Sequence, residues 1–177
     1  MTPQLNVSTG APHARLMSVG AYRPERVVTN AEICERIDSS DEWIRERSGI
    51  ISRRFAAPGE TVTAMADQAA RIALERAGLS SSDIDAVLVA TISHPYQTPS
   101  SATLLAHRIG AAPAAALDIS AACAGFSYGL TLASDMVRGG SARHVLVVGV
   151  EKLSDFTDPE DRGSAFIFAD GAGAVVV

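Results

Sequence analysis

An amphipathic helical segment followed by a long apolar run gives the centre of this 177-residue chain the pattern of a βαβ unit. In Val62–Ala77 the apolar residues fall on one helical face and the charged residues on the other, and Gly78 provides a stop. Asp85–Ile92 is a nearly continuous apolar run, which is typical of a strand buried on both faces. A helix that connects two such strands predicts a parallel sheet and an α/β fold.

Periodicity, caps and turn residues predict further elements on both sides of this unit. The predicted strands are Arg15–Tyr22, Ala114–Ile119, His144–Val150, Ala165–Phe168 and Ala174–Val177, with a glycine-rich turn at Asp170–Gly173 between the last two. One predicted helix begins at a capping box formed by Thr29 and Glu32. The other predicted helices cover Asp41–Arg47, Ser100–Ile109 and Cys123–Val137. The uncharged stretch Ile119–Ser134 is shorter than the roughly 20 apolar residues of a membrane span, so it indicates a buried helix.

Composition and charge argue against several classes of protein. Hydrophobic residues make up 47% of the chain, which is enough for one core. The net charge of -5 lacks the basic excess that binds a phosphate backbone, so we expect no nucleic acid partner. Two cysteines, Cys34 and Cys123, make neither a disulfide framework nor a zinc motif. This usage favours a reducing, cytoplasmic compartment and predicts no metal site.

The two ends of the chain lead to separate expectations. Residues 1–14 lack the charged start and apolar core of a signal peptide, so we predict a flexible tail there and no membrane attachment. Residues 15–177 are predicted to form one unit. Because its last apolar strand ends at Val177 with no polar tail, we expect a further part of the molecule to continue it.

Cys123 is the residue with the clearest chemical potential. It follows an apolar strand and opens an apolar helix, so its sulfur should lie near unpaired N–H groups at the positive end of the helix dipole, which favours the thiolate. Small neighbours such as Ala122 and Gly125 leave room for a tight turn and for a substrate, as a nucleophile elbow requires. The alternative is a buried structural cysteine, which is the common state of a free thiol.

Several motifs along the chain occur together, and in this order, in one known enzyme family. They are Ser40–Ile44, Arg47–Ile50, Ala121–Phe126, Asp161–Gly163 and Phe168–Ala174. With them the chain resembles the amino-terminal half of β-ketoacyl-[acyl carrier protein] synthase III from about Arg15 to its end. The resemblance implies a thiolase-like fold, of which this chain would supply one βαβαβαββ half of the layered αβαβα architecture, with the carboxy-terminal half absent.

The same resemblance implies a decarboxylative Claisen condensation, the reaction that initiates fatty acid synthesis. In the family, the cysteine that matches Cys123 takes the acyl group of an acyl-coenzyme A as a thioester. Malonyl-acyl carrier protein then loses CO2, and the resulting carbanion attacks the acyl carbon to give 3-oxoacyl-acyl carrier protein. A histidine and an asparagine from the second half of these homodimeric enzymes assist that step. Coenzyme A belongs to the substrate, so no cofactor is expected.

The resemblance also implies binding residues for this substrate. Trp43 and Arg162 would hold the adenine of coenzyme A between them, and Ser39 would hydrogen-bond to it. Arg47 would meet the nucleotide phosphates. Thr98 would lie in a loop that borders the acyl pocket of the partner protomer, where a threonine leaves room for branched or longer primers. Without the resemblance, Trp43 is a core residue and Arg47 a partner of the helix dipole.

Two other functions fit the same sequence. The chain could belong to a relative that transfers acyl groups to hydroxyls or amines in secondary metabolism, with the same cysteine and no carbon–carbon bond formation. It could also be a non-catalytic dimerisation module held together by the apolar strand Val145–Val150. None of the histidines of the chain lies in the motif of the family's catalytic histidine, so none is assigned to catalysis.

Overall fold

A mixed five-stranded β-sheet organises the computed structural model of this protein, which describes residues 9–177. Within that range the strands are β1 (Ser18–Tyr22), β2 (Arg26–Thr29), β3 (Ser52–Phe55), β4 (Ala86–Ala90), β5 (Ala115–Ile119), β6 (Val145–Lys152) and β7 (Asp170–Val176). The α-helices are α1 (Asn30–Cys34), α2 (Asp41–Ser48), α3 (Val62–Ala77), α4 (Ser101–Ile109) and α5 (Gly125–Gly139). Short 3-10 helices cover Ser81–Asp83, Ala122–Ala124 and Leu153–Asp155.

The main sheet has the strand order β1-β7-β6-β4-β5. Strand β4 runs parallel to both β5 and β6, so that Leu88 pairs with Leu117 on one side and Val147 on the other. Strand β7 lies between β6 and β1 and is antiparallel to both. Of the three inner strands, β4 and β6 carry the predicted apolar runs because helices cover both faces of the sheet.

Two apolar clusters fill the space between the sheet and its helices. On one face, α3 and α4 pack against the sheet, and the alanines of α3 (Ala66, Ala69, Ala70 and Ala73) are fully buried there. On the other face, α5 packs against β4 and β6 through Ala133 and neighbouring apolar residues. The predicted bounds of α3 are confirmed to the residue, since Thr61 caps its start and Gly78 ends it in the left-handed conformation.

A small second sheet lies beside the main one. Strands β2 and β3 form an antiparallel pair in which Val28 faces Arg53. Together with α1 and α2 they enclose a third apolar cluster that includes Ile33, Ile44 and Phe166. Neither strand is predicted from the sequence, because each is four residues long and contains arginine, which hides the alternation of a strand. Thr29 caps α1 as predicted by accepting from the Glu32 amide, but the other half of the predicted capping box does not form, because the Glu32 carboxylate pairs with Arg26.

The secondary structure predicted for residues 165–173 is wrong. Ala165–Phe168, predicted as a strand, lies in a run of turns, and the predicted turn Asp170–Gly173 is the first part of β7. The buried carboxylate of Asp170 fixes this start, because it accepts hydrogen bonds from the amides of Ala56 and Ser154 and from the Ser154 hydroxyl. Small residues are tolerated in β7 since the strand is paired on both sides.

The predicted tail of residues 1–14 lies partly outside the described residues, which begin at Thr9. From there the backbone follows the carboxyl end of α5, where the Ala11 amide donates to the Val137 carbonyl over 3.4 Å. Ala14 packs against the cluster beneath α5. The flexibility of the tail stays a prediction for residues 1–8.

Candidate active site

Cys123 lies beyond the carboxyl end of β5, in the turn between β5 and α5. Strand β5 ends at Ile119, and the thiol belongs to the 3-10 turn Ala122–Ala124 that leads into the helix at Gly125. The predicted helix therefore begins two residues later than expected, after the cysteine rather than on it. Cys123 is exposed, so the alternative of a buried structural cysteine is wrong.

The backbone of this turn is strained at the residue before the thiol. Ala122 has a φ of 46°, in the left-handed region, and it is the sole described residue other than glycine with a positive φ. A side chain in that region costs about 1 to 2 kcal/mol, and such positions cluster at functional sites. The sharp turn presents the cysteine in the manner of a nucleophile elbow.

A pocket of about 270 Å³ opens beside the thiol. Besides Cys123, Ala122 and the larger side chains of Phe126, Val150 and Glu151, it is lined by small residues on or next to β4, β6 and β7, namely Ala90, Gly149, Ala169, Gly171, Ala172 and Gly173. Gly125 was expected to leave room for a substrate, but in the structure it lets the start of α5 pack closely against β4. A Cβ there would lie 3.0 Å from the Cβ of Ala90, and one at Gly129 would lie 2.9 Å from a methyl group of Val147. Both glycines therefore let α5 approach the sheet closely.

The amide of Cys123 has no hydrogen-bond partner among the described residues. The amides of Ala124 and Gly125 do have partners, since they donate to the carbonyls of Ala121 and Ala122. A free amide next to a nucleophilic sulfur can donate to the oxygen anion that forms when the sulfur attacks a carbonyl carbon. The geometry therefore offers one donor of an oxyanion hole.

Glu151, which the sequence analysis missed, forms the best-connected polar group of this region. It lines the Cys123 pocket from β6. Its carboxylate accepts hydrogen bonds from the amides of Ile92 (2.9 Å) and Ser93 (3.1 Å) and from the hydroxyls of Thr91 and Ser93. These bonds fix the backbone just after β4, where the loop toward Thr98 begins. Only the fold brings the two segments together, so the sequence carries no local signal for this contact.

A second candidate site lies around α2. The only tryptophan of the sequence, Trp43, is half-buried there. The guanidinium carbon of Arg162 lies 5.2 Å from the ring centroid of Trp43, and that of Arg47 lies 5.6 Å from it. Both distances are within the range of a cation–π contact. The structure thus brings Arg162, more than one hundred positions away in the sequence, against two residues that lie one turn apart on α2.

Ser39 lies next to this cluster and has an unused hydroxyl. Its Oγ is buried and lacks a hydrogen-bond partner within residues 9–177. The adjoining carbonyl, that of Asp38, accepts a hydrogen bond of 2.6 Å from Nε of Arg162. The neighbouring Asp161 closes its own turn by accepting from Gly163 and Ser164, and the Ser164 hydroxyl holds the pKa of that carboxyl below its ordinary value. A polar ligand could satisfy the Ser39 hydroxyl.

Thr98 lies apart from both groups, in the exposed loop between β4 and α4. The Thr98–Pro99 peptide bond is cis, and the ring of His94 contacts the Pro99 carbonyl at 3.3 Å. None of the residues that line the Cys123 pocket belongs to the Trp43 cluster. The predicted site residues therefore fall into three separate places on the described chain.

Within residues 9–177, no group of three or more histidine, cysteine or acidic side chains could hold a metal ion. No described helix is both long enough and apolar enough to cross a membrane.

Comparisons with known proteins give one consistent family. A family model described as 3-oxoacyl-[acyl-carrier-protein (ACP)] synthase III matches residues 117–177. Over 174 residues, the chain is 61% identical to β-ketoacyl-[acyl-carrier-protein] synthase III 1 of Streptomyces coelicolor and 57% identical to the mycobacterial β-ketoacyl-[acyl-carrier-protein] synthase III of Mycobacterium tuberculosis. Both alignments cover 98% of this chain, with 51% and 52% of the respective relatives.

A solved structure agrees with the sequence matches. The priming β-ketosynthase from the R1128 polyketide biosynthetic pathway has a TM-score of 0.94 at 47% identity, over 98% of this chain and 52% of that one. The chain thus spans about half the length of the curated relatives it matches. The predicted resemblance and the α/β fold of one thiolase-like half are confirmed.

Proposed function

Because this chain is a homologue of the β-ketoacyl-[acyl-carrier-protein] synthases III, we propose that it supplies the nucleophile of a decarboxylative condensation between an acyl-coenzyme A and malonyl-acyl carrier protein. One observation carries the proposal: the exposed thiol of Cys123 stands on a strained turn, beside a free amide and a glycine-lined pocket. The product would be a 3-oxoacyl-acyl carrier protein.

The first half-reaction uses only groups of this chain. The Cys123 thiolate attacks the thioester carbon of the acyl-coenzyme A, and the new oxygen anion accepts a hydrogen bond from the free Cys123 amide. The carbon–sulfur bond to coenzyme A then breaks, coenzyme A leaves as a thiolate, and the acyl group stays on Cys123. The small residues at the strand ends leave space for the acyl chain.

The second half-reaction needs groups from outside this chain. Malonyl-acyl carrier protein loses CO2, the electron pair of the broken bond becomes an enolate, and its carbon attacks the acyl carbon. Cys123 then leaves as a thiolate. The histidine and asparagine that stabilise the enolate in the family would come from a carboxy-terminal half, so the chain by itself should stop at the acyl-enzyme.

Coenzyme A would bind at the cluster around α2. The contacts of Arg162 and Arg47 with Trp43 support this proposal, because a flat ring that stacks on an indole and a guanidinium would fit between such groups. In this structure the Arg162 guanidinium already lies over the indole, so adenine would enter by taking the place of the arginine and stacking between the two. Ser39 would donate its unused hydroxyl, and Arg47 would meet the phosphates.

The assembly that we propose is a homodimer of complete protomers in the cytoplasm, without a cofactor. Strand β5 is an edge strand of the main sheet, and Leu117 in it is 45% exposed. A free edge with apolar side chains can pair with a second copy. Such pairing would bring the Thr98 loop near the partner protomer, where Thr98 would border the acyl pocket.

A second candidate function is acyl transfer in secondary metabolism. The 47% identical structure is, by its own description, a priming β-ketosynthase of a polyketide biosynthetic pathway, which supports a role in secondary metabolism. Because a ketosynthase also forms a carbon–carbon bond, transfer to a hydroxyl or amine rests on the shared acyl-enzyme alone. The two candidates share the acyl-enzyme on Cys123 and differ in what takes the acyl group. Formation of a carbon–carbon bond with malonyl-acyl carrier protein, tested after a carboxy-terminal half has been added, would separate them.

Intact-mass spectrometry tests the shared first step. The chain is incubated with acetyl-, isobutyryl- and longer acyl-coenzyme A, alone and with the carboxy-terminal half of the Streptomyces coelicolor relative. We expect an adduct of one acyl group that is lost in Cys123→Ala and kept in Cys34→Ala. Failure of every acyl-coenzyme A to modify Cys123, even with the added half, would refute the proposal in favour of the non-catalytic module.

A further inference from the structure

The side chain of Arg53 is buried in the small sheet region without an acidic partner. It is 5% exposed, and no carboxylate of the described residues lies within salt-bridge distance. Burial lowers the pKa of Arg53. A buried guanidinium is costly to desolvate, so its retention calls for a reason in the contacts that it makes.

Those contacts join three separate parts of the chain. Nη2 of Arg53 donates to Oδ1 of Asn30 over 2.6 Å and to the Phe166 carbonyl over 3.0 Å. Nη1 donates to the Val28 carbonyl over 3.3 Å. The guanidinium therefore ties the small sheet to the segment that carries Arg162.

Asn30 extends the connection to α2. It is 1% exposed, and its Nδ2 donates to Oδ1 of Asp41 (2.8 Å) and to the Ile50 carbonyl (2.7 Å). Asp41 is the first residue of α2, and Ile50 follows its end at Gly49. Asn30 thus holds both ends of the helix that carries Trp43 and Arg47.

The two connections meet again at the indole ring. The ring of Phe166, whose carbonyl Arg53 holds, packs edge-on against Trp43 with 5.5 Å between centroids. Arg162, four residues earlier on the same turn segment, lies over the same indole. The spacing between α2 and this segment therefore depends on the buried pair.

We propose that Asn30 and Arg53 are positioning residues for coenzyme A, because they form a buried strut that sets the distance between the two sides of the nucleotide site. The inference rests on the proposed function, in which Trp43 and Arg162 stack on adenine. It adds two residues that would not touch the substrate. Their loss would weaken binding of the nucleotide and leave the chemistry of Cys123 intact.

Arg53→Lys tests the strut with the charge retained. One ammonium group cannot reproduce the planar fork that reaches Val28, Asn30 and Phe166 at once. Because Trp43 is the sole tryptophan of the chain, its fluorescence reports coenzyme A binding at the site. We expect the coenzyme A concentration at half-saturation to rise about tenfold in the variant. Acylation of Cys123 by S-acetyl-pantetheine, which lacks the nucleotide, should be unchanged.

Arg54→Lys is the matched control. Arg54 is the next residue of β3 and also donates to two backbone carbonyls, those of Pro24 and Glu25, but these lie away from the Trp43 cluster. We expect its half-saturation for coenzyme A to match that of the unsubstituted chain. Equal losses with acetyl-coenzyme A and S-acetyl-pantetheine in Arg53→Lys would indicate general destabilisation and overturn the proposal.

A second variant covers the case in which Arg53→Lys does not fold. Asn30→Asp keeps the oxygen that accepts from Arg53 and removes the donor to Asp41 and Ile50, so it should weaken coenzyme A binding in the same way. Unchanged binding in a folded strut variant refutes the inference alone. A chain whose Trp43 fluorescence does not respond to coenzyme A at all refutes the proposed nucleotide site, and with it the strut.

Discussion

Ala122 holds the backbone conformation on which the presentation of Cys123 depends. The right-handed regions are open to alanine, so a φ of 46° persists because the strand before it and the helix after it fix the turn. Ala122 is exposed, which means that packing of its methyl group does not explain the conformation. The strain is therefore a property of the turn itself.

Substitution at this position should reveal the strain. We expect Ala122→Val to lower the free energy of unfolding by about 1 to 2 kcal/mol, because a β-branched side chain is harder to place at a positive φ than alanine. Ala122→Gly should not lower it. Ala124→Val is the matched control, since Ala124 has a φ of -88° in the same turn. Urea denaturation measures the three variants, and equal losses at both positions would contradict the strained turn.

Residues with a local signature could be predicted, and residues defined by distant contacts could not. The position of Cys123 on a turn after β5 followed from its place between an apolar strand and an apolar helix, and the contact of Trp43 with Arg162 followed from motifs in the sequence. Arg53 depends on a carbonyl 113 positions away, and Glu151 on a loop 58 to 60 positions away. No local pattern marks such residues, because an arginine in a short strand and a glutamate at a strand end are both ordinary.

Glu151 connects the end of β6 to the start of the loop after β4. We expect Glu151→Gln to lower the free energy of unfolding by about 2 kcal/mol, because the amide group would face donors that now bind a carboxylate. Acylation of Cys123 should slow as well, since Glu151 lines its pocket. The control is Glu75→Gln on the exposed face of α3, which should change neither quantity.

Tyr22 and Glu60 join the end of β1 to the segment before α3, and this pair should make stability depend on pH. The Tyr22 hydroxyl donates to the Glu60 carboxylate, which lowers the pKa of Glu60 below its ordinary 4.5 and raises that of Tyr22 above 10.0. The Glu60 contribution is present above pH 4.5 and is lost as the pH falls through the lowered pKa. The Tyr22 contribution is present below pH 10.0 and is lost as the pH rises through the raised pKa.

Tyr22→Phe should therefore lower the free energy of unfolding by about 0.5 to 1 kcal/mol near neutral pH, a small value because solvent reaches the pair. The free energies of unfolding of the unsubstituted chain and of Tyr22→Phe should become more similar in acid below pH 4.5 and in base above pH 10.0. Urea denaturation across this range measures it. A difference that stays constant into acid and base would show that the hydrogen bond does not contribute.

Elements with strong periodicity were predicted well, and elements shaped by their neighbours were not. The bounds of α3 follow from its alanine face, its threonine cap and its terminal glycine. Strand β7 begins with Asp170 and two glycines, a composition typical of turns, and it is a strand because β1 and β6 pair with it on both sides. Pairing with neighbours overrides local preference in a sheet.

The helices on the two faces of the main sheet differ in the polarity of the side that they present to solvent. The helices α3 and α4 cover one face and present charged residues such as Arg71 and Glu75 to solvent. Helix α5 covers the other, and its outward side carries Tyr128 at 57% exposure and Leu132 at 45%. The prediction of a buried helix from its lack of charge is wrong for this side. An apolar face of this kind is typical of a surface that another part of a protein covers.

The outward side of α5 should therefore govern the association of the chain. We expect the unsubstituted chain to self-associate in sedimentation velocity, and the double variant Tyr128→Lys/Leu132→Lys to sediment as a smaller species, because two adjacent apolar groups one helical turn apart are replaced by charges. Ile51→Lys is the control, since Ile51 is 62% exposed but lies outside α5, and it should leave association unchanged.

Addition of the carboxy-terminal half of the Streptomyces coelicolor relative should replace self-association by a one-to-one complex with the unsubstituted chain and not with the double variant. The prediction is contradicted if the unsubstituted chain sediments as a monodisperse monomer and does not bind the added half. The exposed apolar area of α5 would then be stable in water without a partner.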